Sequence, residues 1–234
     1  MALNMMRPLQ SGAASNMGSP FFAQLGPIQK QPGEIGGLSY VPTSVPICSD
    51  DTDDCFRGQH PPVEFSECNQ KVVADTFETI KSTAKCIVEI GVSRNPDYSK
   101  TSTSVFLSNK SKDCHYIGID LDDKSSLNDV ENNIHTLKID SSAHIFVFEL
   151  MDQLGIDKID LLMIDGWHSV NQCLSDWQYT SRLSDSGIVI MHDTNFHPGP
   201  SLLFEAIDGG LYEKEKFCNN PDIMDWGISV VRRK

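Results

Sequence analysis

The sequence predicts an α/β fold: a doubly wound, mainly parallel sheet with helices on both faces. Three observations carry that prediction. From Phe65 onward, short apolar runs alternate with helix-length segments, the pattern of parallel strands joined by crossover helices. The strand runs are apolar throughout rather than alternating, as strands covered on both faces are. The residues able to do chemistry fall at strand ends: Gly91, Asp120, Asp140, Asp165, His192 and Asp193. That edge is where open α/β sheets bind ligands.

The elements follow in order. "SECNQKVVADTFETIKSTA" places Val72, Val73, Phe77 and Ile80 near helical spacing, with Ser66 as its cap. "CIVEIGV" is the first strand and "TSTSVFLSN" starts a helix. "HYIGIDL" is the second strand, "SSLNDVENN" a short helix and "IHTLKID" the third strand. "SSAHIFVFELMDQLG" is a helix capped by Ser141 or Ser142, followed by "IDLLMID" as the fourth strand. "SVNQCLSDWQYTSRLS" is a helix with Val170, Leu174, Trp177 and Leu183 inward. "GIVIMHD" is the fifth strand and "GPSLLFEAIDGG" a helix, with two closing strands in "LYEKEKFC" and "WGISVVRRK". Residues 1–60 hold half of the prolines and the acidic run "SDDTDD" without periodicity. They read as an irregular N-terminal arm ahead of one domain over 61–234, and the arm is a candidate contact for a homo-oligomer.

Composition removes several function classes. The 234 residues carry a formal net charge of −13, and Lys and Arg cluster only in the terminal "VVRRK". Nucleic-acid binding rests on phosphate neutralisation, so a DNA or RNA partner is not expected, and the basic tail reads as a solvated end. No apolar run approaches the ~18 residues of a membrane span. The N-terminus lacks the apolar stretch of a secretory signal, which gives a cytoplasmic expectation. The seven cysteines form no CxxC pair. Their odd number and irregular spacing argue against a disulfide framework or a zinc knuckle. Cys86 and Cys173, in apolar surroundings, are expected to be buried.

Two stretches carry the chemistry. In "VEIGV" the strand ends at Gly91, where the missing side chain lets backbone approach a ligand. The next strand ends in Asp120, roughly 30 residues on, the spacing of a βαβ unit that presents an acid to ribose hydroxyls. The third strand ends in Asp140. In "IDLLMIDGWHS" and "GIVIMHDT", two further strands each deliver Asp and His: Asp165 with His168, and His192 with Asp193. Neighbouring strands would bring these together. Two carboxylates and an imidazole suit a divalent cation, and His168 suits a general base. His192 reads equally as a ligand or as the base. Asp176 reads as support for a site histidine or as a solvated helix residue, His197 as a lower-ranked site residue, and Asn195 as a possible further oxygen ligand.

The run "VEIGV…YIGIDL…KIDSS…IDLLMIDGWHS…GIVIMHDT" resembles class I S-adenosylmethionine-dependent methyltransferases, and most nearly their class 24, macrocin O-methyltransferase-like group. The resemblance spans about residues 70–234. It implies a Rossmann-like, seven-stranded sheet whose last strand is antiparallel. It places Glu89, Gly91 and Val92 near the methionine portion of S-adenosylmethionine, Asp120 and Leu121 at the ribose, and Asp140 and Ser141 by the adenine. It assigns Asp165, His192 and Asp193 to magnesium or manganese, with His192 standing where the group has an acid. The first loop, "GVSRNPDYSKTSTS", departs from the group in having no second glycine. A GxGxxG is absent, which disfavours NAD. The resulting expectation is metal-assisted O-methylation of a small-molecule, sugar-type hydroxyl. A metal-dependent hydrolase or hydroxylase-related enzyme on the same fold, and a non-catalytic binding module, remain alternatives.

Overall fold

A computed structural model of the chain describes residues 65–93, 100–219 and 224–234. The arm expected over 1–60 lies outside them. The elements are α1 (Glu67–Glu78), β1 (Cys86–Ile90), α2 (Ser102–Asn109), β2 (His115–Asp120), β3 (Ile134–Lys138), α3 (His144–Gln153), β4 (Ile159–Ile164), α4 (Val170–Asp176), β5 (Leu183–His192), α5 (Pro198–Ala206), β6 (Tyr212–Phe217) and β7 (Ile228–Arg233). The strands form one seven-stranded sheet in the order β3-β2-β1-β4-β5-β7-β6. β1 to β5 pair in parallel, and β7 runs antiparallel between β5 and β6.

Strand periodicity divides the core into two layers. Val88, Ile90, Ile117, Ile119, Leu162, Ile164, Val189 and Met191 face Val147 and Met151 of α3, Cys173 of α4, Trp177, and Leu203 of α5. Ile87, Tyr116, Leu161, Met163, Ile188 and Ile190 face Val73 and Phe77 of α1 and Val105 and Phe106 of α2. Each fully buried aliphatic of this kind stabilises the fold by roughly 1.5–3 kcal/mol.

Helix starts follow their caps where short polar side chains reach the first turn. Ser66 Oγ accepts from Asn69 N at 3.1 Å. Thr101 and Ser104 form a reciprocal capping box on α2, and Ser169 caps α4. α3 differs from expectation: it begins after Ala143 with no side-chain cap, and Ser141 Oγ instead accepts from Gln172 Nε2. The segment 125–132 forms two 3-10 turns rather than a helix. α4 ends at Asp176 and tightens into a 3-10 helix over Trp177–Arg182; Cys173, Asp176 and Trp177 take the inward side, and Leu174 is 37% exposed. Of the "VVRRK" end, Val230 and Val231 are fully buried in β7, while Arg233 and Lys234 are exposed as a solvated end would be.

The cysteines overturn the expectation against disulfides. Cys68, in the first turn of α1, is bridged to Cys218, just after β6, across 150 residues of chain. Spacing could not reveal this pair, because the fold alone brings these two segments together. Cys86 and Cys173 are buried thiols, as expected, and so is Cys114. Closing so long a loop restricts the unfolded chain. Replacing Cys68 and Cys218 together by serine should lower the unfolding free energy by about 2–5 kcal/mol, read as a lower urea midpoint. An unchanged midpoint would contradict this.

Candidate functional site

The parallel register sets the site. Ile90 of β1 pairs with Ile164 of β4, and Ile164 with Met191 of β5, so Gly91, Asp165 and His192 emerge side by side. Gly91 has φ +82°, and a Cβ there would lie 1.9 Å from the carbonyl oxygen of Asp165. Only glycine allows this approach. The strand ends open on a cavity of about 1050 Å³.

One end of the cavity is formed by β1, β2 and β3. Gly91, Val92, Asp120, Leu121, Asp140 and Ser141 all line it. Asp120 accepts from Asp122 N at 2.8 Å and lies 3.8 Å from Lys124 Nζ. Glu89 does not line the cavity. It is fully buried and accepts from Ser102 Oγ (2.5 Å), Thr103 Oγ1 (2.9 Å) and the Tyr116 hydroxyl, tying β1 to the start of α2. Burial pushes its pKa up to about 7 against the pull of those hydroxyls. Asp176, suggested as support for a histidine, acts elsewhere. Gln172 Nε2 donates to Asp176 Oδ1 (3.0 Å) and to Ser141 Oγ (2.7 Å). The buried Asp176 therefore fixes the Asp140–Ser141 corner, and burial raises its pKa to about 6.

The other end holds the histidines and acids. Asp193 follows β5 in the left-handed region, with φ +62°, a conformation that costs a non-glycine residue energy and clusters at functional sites. It is 5% exposed. His168 Nε2 lies 2.7 Å from Asp193 Oδ2. His192 Nδ1 lies 3.2 Å from the same oxygen and 3.0 Å from Asp165 Oδ1. Burial alone would raise the Asp193 pKa, but His192 and His168 outweigh it and hold the carboxylate far below its usual range. Burial likewise opposes charge on His192, yet Asp193 and Asp165 hold its pKa well above the ordinary value. His192 Nε2 faces Asn69 Nδ2 at 3.0 Å.

Asp165, His192 and Asp193 offer ligand atoms that lie within 4.8 Å of one another, and His168, Asp193 and His197 form a second such group. The first set, two carboxylate oxygens and one imidazole nitrogen, fits a divalent cation of intermediate hardness. In the second set the His168 and His197 rings stack at 3.9 Å, and His197 stacks in turn on Trp226 at 4.9 Å. Stacked rings set their nitrogen lone pairs side by side rather than at a common point. Asn195 does not line the cavity; its Nδ2 donates to the carbonyls of Cys218 and Asp225.

Sequence reasoning missed Asn69, Phe65, Gln172 and Trp226. The Phe65 ring lies 5.1 Å from the His192 ring, and Phe65, Gln172 and Trp226 line the cavity. Asn69 left a trace: it is a polar residue on the buried stripe Asn69–Val73–Thr76–Phe77 of α1.

No family model and no curated protein matches the chain. Solved structures do. An O-methyltransferase from Bacillus cereus, in complex with S-adenosylhomocysteine, aligns over 74% of this chain and 84% of its own, with TM-score 0.54 and 14% identity. MycE, a methyltransferase of the mycinamycin biosynthetic pathway in complex with Mg and S-adenosylhomocysteine, aligns over 70% of this chain and 48% of its own, at TM-score 0.51 and 14% identity. The chain thus spans about half the length of MycE. CalS11, a TDP-rhamnose 3'-O-methyltransferase of calicheamicin biosynthesis, aligns over 72% of this chain and 81% of its own, at TM-score 0.51 and 10% identity. The chain has the Rossmann-like fold of class I methyltransferases.

The raised Glu89 pKa has a defined sign. The protonated acid is favoured in the folded state, so its contribution to stability is complete below about pH 4.5 and is lost as pH rises through about 7. Glu89→Gln should therefore gain stability over the wild type progressively from pH 5 to pH 8, measured as the difference in melting temperature. A difference independent of pH would contradict the assignment.

Proposed function

We propose that the protein is an S-adenosylmethionine-dependent O-methyltransferase acting on a small, uncharged, ring-bearing hydroxyl compound, sugar-type in the first instance, with a divalent metal assisting. The observation that carries this is the charge of the single cavity joining the two ends. Its described lining includes Asp120, Asp122, Asp140, Asp165 and Asp193 but neither lysine nor arginine. Such a lining fits a sulfonium cation and ribose hydroxyls. It does not fit the pyrophosphate of a dinucleotide or of a nucleotide sugar, which calls for basic groups or helix N-termini.

Asp120 is the acid for the ribose hydroxyls. Asp140 and Ser141, braced by Gln172 and Asp176, take the adenine edge. Gly91 and Val92 border the methionine portion. S-adenosylmethionine, when bound, supplies an electrophilic methyl group. Asp165, His192 and Asp193 would hold the metal, which lowers the pKa of a hydroxyl it coordinates. His168 is the general base. Its Nε2 lies 2.7 Å from Asp193 Oδ2, so a proton taken up by this ring makes an imidazolium that the ionised Asp193 stabilises. Phe65, Trp167, His197 and Trp226 give the acceptor end aromatic walls, suited to the apolar face of a sugar or to another flat ring.

No helix among the described residues is long and apolar enough to cross a membrane. The Cys68–Cys218 bridge favours an oxidising compartment over the cytosol as the working site.

Calorimetry should show micromolar binding of S-adenosylhomocysteine that survives Asp165→Asn, Asp193→Asn and His168→Ala. The two asparagine variants should lose Mn²⁺ binding at least tenfold. His168→Ala should lower kcat by about 10²–10⁴. In an acceptor panel, neutral glycosides and phenols should turn over and nucleotide sugars should not. Absence of S-adenosylhomocysteine binding to the wild type would contradict the reading.

A further inference from the structure

Lys124 follows β2 and is only 9% exposed, although lysines are seldom buried without a partner. It stands behind the cavity wall and is not part of the lining. Its Nζ donates to the carbonyl oxygen of Ser93 at 2.9 Å and lies 3.8 Å from Asp120 Oδ2. Ser93 and Asp120 both line the cavity. One ammonium therefore spans the loop that leaves β1 and the acid that ends β2.

Both groups are also held from their other sides. Asp120 Oδ1 accepts from Asp122 N at 2.8 Å, so the two carboxylate oxygens are fixed from different directions. Ser93 N donates to Thr103 Oγ1 at 3.1 Å, and Thr103 Oγ1 donates to the fully buried Glu89 at 2.9 Å. The two backbone polar groups of Ser93 are thus taken by side chains from elsewhere, the nitrogen by α2 and the oxygen by Lys124. The loop "GVSRNPDYSKTSTS" has no second glycine, and these anchors set its path past the cavity. We propose that Lys124 is a positioning residue for the methyl donor: it locks Ser93 to Asp120, so that the methionine and ribose portions meet one rigid wall. The inference rests on the reading of the β1–β3 end as the S-adenosylmethionine site.

Burial decides that this contact matters. A solvent-exposed ion pair contributes little, but the Lys124 and Asp120 side chains are 10% and 15% exposed. Asp120 also shares its cavity with Asp122, Asp140, Asp165 and Asp193, and a positive charge behind it offsets their mutual repulsion. Without Lys124, the Ser93 carbonyl would lose its partner and the carboxylate its countercharge, and the loop and the acid would move independently. A donor binding to a wall that is already ordered loses less entropy than one that must order it. Lys124 acts on the donor only through the groups it holds.

The test is calorimetry on the full chain with two probes: S-adenosylhomocysteine, and methylthioadenosine, which keeps the adenine and ribose but lacks the amino-acid tail. Lys124→Met keeps the side-chain length and removes the charge. It should weaken S-adenosylhomocysteine binding about 10–100-fold, the worth of a hydrogen bond to a charged group. Methylthioadenosine should lose less, because it has no tail to meet the Ser93 side. In an Asp120→Asn background the cost of Lys124→Met should shrink by about threefold or more, as for two groups in contact. Thr103→Val removes the other anchor of Ser93 and keeps Lys124; it should weaken S-adenosylhomocysteine while leaving methylthioadenosine within about twofold, and it decides the Ser93 arm even where Lys124→Met folds poorly. A general loss of folding would weaken both probes alike. The inference alone is overturned if Lys124→Met binds S-adenosylhomocysteine as the wild type does, if its cost is the same with Asp120→Asn, or if Thr103→Val weakens both probes equally. If the wild type does not bind S-adenosylhomocysteine, the cofactor reading fails and the inference falls with it.

Discussion

The Asp193 carboxylate is the constraint on which the acceptor end of the site depends. It sits at the end of β5, nearly buried and ionised, and two imidazoles converge on its Oδ2. A buried charge is tolerable only when paired and hydrogen-bonded. His168 and His192 supply that pairing, and the requirement in turn fixes both rings. The left-handed backbone at Asp193 turns the chain so that its side chain points back between them, with the His197 N–H bonded to the Asp193 carbonyl. Strain, charge and ring orientation are parts of one arrangement, and the arrangement leaves a basic imidazole on one side and a three-atom ligand set on the other.

The rest of the fold delivers this arrangement to the cofactor end. Parallel pairing of β1, β4 and β5 puts their carboxyl ends in one row. The contact between Gly91 and the Asp165 carbonyl brings the first strand's loop against the fourth strand's acid. The α1 helix closes the row from one face. Its first turn is tied down by Ser66, by the disulfide and by the Asn69–His192 contact. On the opposite face, Gln172 and Asp176 of α4 brace Ser141. One cavity therefore has a polar, acid-lined end and an aromatic-walled end, with Asp165 between them.

Much of this was legible in the sequence because parallel sheets convert order along the chain into position in space. Each strand end contributes to the same edge, so Gly91, Asp120, Asp140, Asp165, His192 and Asp193 could be placed without coordinates. What was not legible came from contacts between segments far apart in sequence. Cys68 meets Cys218, and Asn69 meets His192, only after α1 docks on the sheet. Trp226 lies on the connection before β7, whose entry between β5 and β6 no local pattern announces. Local competition explains the smaller differences. Ser141 was a credible helix cap until a distant glutamine claimed its hydroxyl. Glu89 was a credible cavity residue, yet strand alternation turns it toward α2, where three hydroxyls hold it.

The central claim is that one cavity holds the methyl donor at the β1–β3 end and a divalent cation at the β4–β5 end. A crystal structure of the protein with S-adenosylhomocysteine and Mn²⁺ tests it most directly, with anomalous scattering locating the metal. The account predicts adenine beside Asp140 and Ser141, ribose at Asp120, and an anomalous peak among Asp165, His192 and Asp193. A ligand bound elsewhere, or a peak away from those three side chains, would contradict it.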